Sequence, residues 1–540
     1  MALDDILSTF DSVTFTPRTL EHNFPADLTK NLSGHARQFI NMAYGKSVTV
    51  GDLTSNTWKD KSDTLNFFFR CDEDVRVEIL AFLTLFVHEY THRIDFLISP
   101  FGLQFFVQTL SEYWRLQDFF PRILDNPKTV EHIRFLAGLA DNVPDKDLEE
   151  ASLKEIWDDL KGYIHIFYAW GDVSTITPIA KYFEDGWRNA TNIRFGAGVS
   201  LEPVTVLKIF ETFRVPGEDK FCYLRPLTIF ETKAVVNSLL FILHLLGERG
   251  AEASLYYYEK IYLRRKAQLP QDYFFLLDLS ARLYDYDDFH SLLKQGDSAK
   301  LRSTLFLLSA LCWYGLQAPP HLKTEDSRIG NPILRLWVGF NFMHAFTHQK
   351  LKTFFNSAAE LLLLLDQQTY AASFYQKPIN KIIPDCCKII DNMIELNQER
   401  TWNPDVRRHF DHVFTLMRPH FSERDLSYVS PMGMPDYGNP LFGCRTDKDW
   451  EVTYDDYRAP EAVRDWFSIR TDLFFNLLKP ADDVLKRLEA HYRAFLLVYF
   501  CECGQGSNMQ WVSRFANQFN VKCRFCGTKK TLDRDDMSIH

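Results

Sequence analysis

The segment FVHEYTHRID, residues 86–95, places two histidines four residues apart with a glutamate directly after the first. On an α-helix, positions i and i+4 lie on one face, a turn apart. His88 and His92 are therefore able to offer imidazole nitrogens to one metal ion. Glu89 leaves the helix at the edge of that face, badly placed to ligate the same ion but within reach of a water held by it. Two ligands, a third from elsewhere and a carboxylate base are what zinc-dependent hydrolysis needs. The metal brings the pKa of its water to about 7; Glu89 is expected to take the proton, and the hydroxide to attack a carbonyl. The flanks, ILAFLTLFV before and IDFLI after, are apolar. Two imidazoles and a carboxylate inside such a helix are costly without a partner, and a metal would be one. The competing reading is a hydrogen-bonded polar cluster, or a site that has lost its metal.

Outward from this motif, VRVEILAFLTLFVHEYTHRIDFLI reads as one long helix ending near Pro100. Before it, a helix is expected over residues 30–43, and three β-rich runs read as strands: SVTFT (12–16), KSVTV (46–50) and TLNFFFR (64–70). After it, Pro226 sits where a first helical residue would, opening LTIFETKAVVNSLLFILHLLG, with Gly247 suited to the C-cap. Residues 251–420 carry apolar clusters at helical spacing. Residues 421–460 are rich in Gly, Pro, Asp and Tyr and read as irregular structure. The expected class is mostly α, of the α+β kind: a small N-terminal β-sheet on the HEYTH helix, a large all-α region and a C-terminal ribbon. The corresponding units are 1–250, 251–495 and 496–540.

The chain of 540 residues is 46% hydrophobic and 15% aromatic, ample for large packed cores. A net charge of −10 argues against a broad nucleic-acid footprint. The N-terminus MALDDILSTF has no basic region followed by an apolar run, and the greasiest runs are shorter than the roughly 18–20 residues of a bilayer span. A cytoplasmic protein without a membrane partner is expected.

HEYTH on a helix preceded by strands resembles the zincin metallopeptidases. The resemblance implies a peptidase that acts on a protein or peptide, with an edge strand to hold the substrate backbone, a role that would fall to TLNFFFR. The metzincin pattern is ruled out, because Asp95 and Ile98 stand where that group has Gly and His. The gluzincin pattern implies a glutamate ligand from a later helix. Glu231, in the stretch ETKA, resembles the E-x-x-A ligand helices of several gluzincins; its helical neighbours Leu227, Thr228, Ala234 and Val235 suggest a buried carboxylate that needs a cation, with a buried pair to an Arg or His as the alternative. Glu112 follows His92 at a spacing like that of the thermolysin group, but among polar neighbours. Glu231 is preferred and Glu112 remains open. Asp95 is expected to orient an imidazole, with a surface ion pair as the alternative. Tyr223 and Arg225 are candidate donors to a developing oxyanion.

At the other end, CECG (501–504) and CRFCG (523–527) give two cysteine pairs, 19 residues apart, each followed by Gly. The pattern resembles a zinc ribbon, so Cys501, Cys503, Cys523 and Cys526 are expected to hold a structural zinc in a closed tetrahedral site. Lys522, Arg524, Lys529 and Lys530 make its tip locally basic, and nucleic acid is a possible partner only there. HAFTH (344–348) pairs His344 with His348 but lacks the glutamate, and His409 and His412 are expected to face solvent. The extent of helix beyond the motif suggests a narrow substrate or control by a partner protein. The rival reading is an inactive zincin-like helical scaffold that binds a protein or nucleic acid.

Overall fold

The computed structural model describes residues 14–16, 20–23, 32–45, 47–48, 61–116, 226–264, 274–282, 284, 286–320, 332, 335–336, 339–340, 343, 358–372, 378–399, 403–422, 442–444, 450–451, 459–464, 509–515, 518–523 and 529–533. These residues are mostly helical.

The N-terminal strands β1 (Thr14–Thr16) and β2 (Glu21–Asn23) form an antiparallel hairpin with Phe15 opposite His22. Helix α1 (Gly34–Tyr44) follows, with Ser33 as its cap: the Ser33 hydroxyl accepts from the Ala36 amide at 3.1 Å. Ala36, Phe39, Ile40 and Ala43, at three- and four-residue spacing, bury its inner face. Strand β3 (Ser47–Val48) pairs with β4 (Phe442–Cys444), which pairs in turn with β5 (Trp450–Glu451).

The third expected strand is not one. TLNFFFR lies in a helix, α2 (Lys61–Arg70). Thr64 and Phe68, four apart, are the buried pair, and the Phe68 ring packs 5.7 Å from that of Phe39. Asp63 in the first turn and Arg70 in the last complement the helix dipole. Three consecutive phenylalanines suit a strand by propensity, but burial here selects one residue per turn. No edge strand for a substrate lies in this segment.

Helix α3 (Glu73–Ile98) carries the HEYTH motif and is buried almost all round from Val77 onward. Such a helix is a core element rather than a surface one. It ends at Ser99, whose hydroxyl accepts from the Gly102 amide at 3.0 Å, and Pro100 opens α4 (Pro100–Leu116). The turn is so tight that a Cβ on Gly102 would sit 1.9 Å from the Phe96 carbonyl oxygen.

Helix α5 (Pro226–Leu246) begins at the expected proline. Gly247 has φ +59° but does not release the chain: a 3-10 turn (Gly247–Arg249) leads into α6 (Gly250–Tyr258) and a π turn (Glu259–Leu263). The stretch Thr228–Leu263 is long and apolar enough to cross a membrane by composition, but 89% of its most apolar window is buried inside the protein. Contacts that step down α3 step up α5, from Asp95–Lys233 to Thr91–Asn237 to Thr84–Ser238, so the two helices run antiparallel. Two short helices, α7 (Phe275–Arg282) and α8 (Phe289–Lys294), precede α9 (Ser298–Leu316), which is capped by Asp297 and packs against α5.

Beyond these lie α10 (Ala358–Ala372), α11 (Ile379–Glu399) and α12 (Pro404–Ser422). The last two pack together, with the Asn397 amide donating to the Arg407 carbonyl at 3.1 Å. His409 is fully buried rather than solvent-facing, because it lies beside Val406, Phe410 and Val413 on the inner stripe of α12; His412 is half-buried. One continuous cluster of buried side chains runs from Phe15 to Val463, across residue 250.

At the C-terminal end, β6 (Met509–Phe515), β7 (Gln518–Cys523) and β8 (Lys529–Asp533) form an antiparallel meander. Cys523 is the last residue of β7; Cys501, Cys503, Cys526 and Arg524 lie outside the described residues, as do Tyr223, Arg225 and the HAFTH histidines.

Candidate metal centre

His88 and His92 project from α3 one turn apart, their rings edge-on with centroids 4.9 Å apart. Glu231, from the second turn of α5, faces both. Its Oε2 lies 3.4 Å from His88 Nε2 and its Oε1 lies 3.7 Å from His92 Nε2. One ligand atom from each of the three residues lies within 4.8 Å of the others. Among the described residues, Glu231, the third ligand preferred from the sequence, lies beside the two histidines. Glu112 lies on α4, but its side chain is outside the described residues.

The spacing is compatible with a metal ion. Both nitrogen–oxygen separations exceed the 2.7–3.2 Å of an N–H···O bond. Donors held about 2.0–2.2 Å from a tetrahedral zinc stand roughly 3.3–3.6 Å apart; the two separations here are of that order, each to a different oxygen of the Glu231 carboxylate. Two imidazoles and one carboxylate are also the donor set of catalytic zinc sites that keep a fourth position open.

The environment tunes each group differently. Burial drives the His92 imidazole down to about 4, against the pull of Glu231, so it is neutral at pH 7 as a ligand must be. Burial also opposes charge on His88, but the Glu231 carboxylate 3.4 Å away and the neighbouring Glu89 carboxylate overcome this and leave it raised. Glu89, 8% exposed, is pushed up to about 7, chiefly by burial and by the Glu231 charge; His88 and the Phe15 backbone amide pull it back. The β1–β2 hairpin closes one side of the site: the Phe15 ring stacks on His92 and packs 6.0 Å from Phe96.

Asp95 does not orient an imidazole. It makes an ion pair with Lys233, and both side chains are 0% exposed. His92 Nδ1, buried, has no hydrogen-bond partner among the described residues. Lys233 comes from α5, two residues after Glu231, and its ammonium lies 4.7 Å from the Trp313 ring centroid on α9. The sequence reading missed Lys233. The signal was there: a lone lysine among Ile229, Phe230, Ala234, Val235 and Val236 has no polar face to occupy. One turn further, the Asn237 amide donates to the Thr91 hydroxyl at 3.2 Å.

Comparisons of the chain with protein-family models, with curated proteins and with solved structures return no match.

Proposed function

We propose that the chain is a zinc-dependent peptidase of gluzincin type. The observation that carries this reading is the convergence of Glu231 on His88 and His92 with Glu89 beside them. His88, His92 and Glu231 hold the catalytic zinc. When bound, zinc supplies a Lewis acid and brings the pKa of a water it holds to about 7. Glu89 accepts a proton from the attacking water and returns it to the leaving amine. Its burial suits it to exchange protons near neutrality. The Phe15 ring and the buried flanks of α3 keep bulk water from the His92 side. The substrate is a protein or peptide, and the extent of helical structure around the site favours a narrow range or a controlling partner. A second, structural zinc is held by Cys501, Cys503, Cys523 and Cys526, in a cytoplasmic protein.

The test is zinc per chain for wild type and His88→Ala, followed by cleavage of a protein substrate by Glu89→Gln. Two zincs falling to one, with cleavage abolished and zinc retained in Glu89→Gln, supports the peptidase. One zinc in both proteins, or function unchanged in Glu89→Gln, overturns it in favour of a scaffold.

A further inference from the structure

A buried ion pair stands directly beside the proposed centre. Apolar residues of similar size would hold two helices together at least as well as Asp95 and Lys233, because taking both charges out of water is costly. The pair therefore calls for a role other than cohesion, and its placement supplies one.

Glu231 and Lys233 are two residues apart, so about 200° separates them around α5. Ala234 lies between them on the short side, roughly 60° from Glu231 and 100° from Lys233. It is fully buried, and its small side chain permits close approach of the helices. The two charged residues therefore flank the line of contact with α3. From one flank Glu231 reaches His88 and His92; from the other Lys233 reaches Asp95, one turn beyond His92. Asn237, on the Lys233 flank, adds the hydrogen bond to Thr91. The Trp313 ring on α9 also contacts the ammonium. Rotation of α5 about its own axis would withdraw the Glu231 carboxylate from the two imidazoles, and it would also pull Lys233 from both Asp95 and Trp313.

We propose that Asp95 and Lys233 are positioning residues for the metal centre, locking the rotation of the Glu231 helix so that its carboxylate meets both histidines. The inference rests on the zinc reading above and deepens it. It assigns to Asp95 an action through the helix pair, not through an imidazole.

The test is zinc affinity at the histidine site, read by competition with a graded series of chelators, with His88→Ala as the blank. The variant is Asp95→Leu/Lys233→Met, which replaces the pair by apolar residues of similar bulk. It is expected to fold, to melt no lower than wild type, and to bind zinc about 10–100-fold more weakly, the usual cost of losing support around a ligand. Affinity within twofold of wild type in the folded variant overturns the proposal. If that variant does not fold, Asp95→Asn/Lys233→Met, which changes shape less, carries the same expectation and the same refutation. Equal zinc in wild type and His88→Ala overturns the site reading itself, and this inference with it.

Discussion

The ring of Phe15 lies nearly parallel to that of His92, with 18° between their planes and 6.5 Å between their centroids. A residue of the N-terminal hairpin thus covers a candidate ligand 77 positions later in the chain. Phe15→Ala should remove that cover and its contact with Phe96. The expected loss is about 3 kcal/mol of stability, read by denaturant unfolding. His92 should also become reactive to an imidazole-modifying reagent, with modification followed by peptide mass. Unchanged reactivity would show that the hairpin does not shield the site.

The two glutamates weighed as third ligand separate cleanly by metal content. Glu231→Ala should lose one zinc per chain, because the Glu231 carboxylate lies within 4 Å of both imidazoles. Glu112→Ala should keep the wild-type content. The reverse result would move the centre from the α3–α5 pair to α3–α4.

Opposed titrations at Glu89 and His92 give a pH signature in protein stripped of zinc. The folded pKa of Glu89 is raised to about 7, so the folded state binds more protons than the unfolded one between about 4.5 and 7; its contribution to stability falls as pH rises through that window. His92 is lowered to about 4, so the unfolded state binds more protons between about 4 and 6.5; its contribution falls as pH drops through that window. Relative to stripped wild type, Glu89→Gln should gain stability as pH rises from 4.5 to 7 and His92→Gln should gain as pH falls from 6.5 to 4. Each trend is at most about 3 kcal/mol, measured by urea unfolding at a series of pH values. Parallel curves for all three proteins would contradict the burial of both groups.

Gly102→Ala should cost at least about 2 kcal/mol, because the added methyl meets the Phe96 carbonyl rather than a side chain that can move aside. The measurement is a thermal melt against wild type. A neutral result would mean that the turn between α3 and α4 can open by enough to clear the Phe96 carbonyl.

The long helix bearing HEYTH and the Pro226 helix were legible from the sequence because each is a sustained apolar run with a clear stop or start. The placement of Glu231 beside the histidines was legible for a related reason: a carboxylate among apolar neighbours calls for a polar partner. The run TLNFFFR was not, since seven residues with three adjacent phenylalanines satisfy both the strand and the helix pattern, and only burial of Thr64 and Phe68 decides. For Asp95 the ion-pair alternative holds rather than the imidazole, but the pair is buried rather than at the surface. Its ion pair spans 138 positions, and no local pattern names a partner at that distance. The arginines beside His409 in sequence suggest solvent, but they are not its neighbours on the inner stripe of α12, where it is buried.

The gap between His92 and Glu231 also sets an order of events during synthesis. At roughly 5–20 residues per second on a ribosome, the 138 residues between them take about 7–28 s to make. For that interval the nascent chain presents two histidines of the site without the carboxylate. A zinc ion met in that interval would find an incomplete binding set, so on the zinc reading proposed above loading would wait until Glu231 has been made.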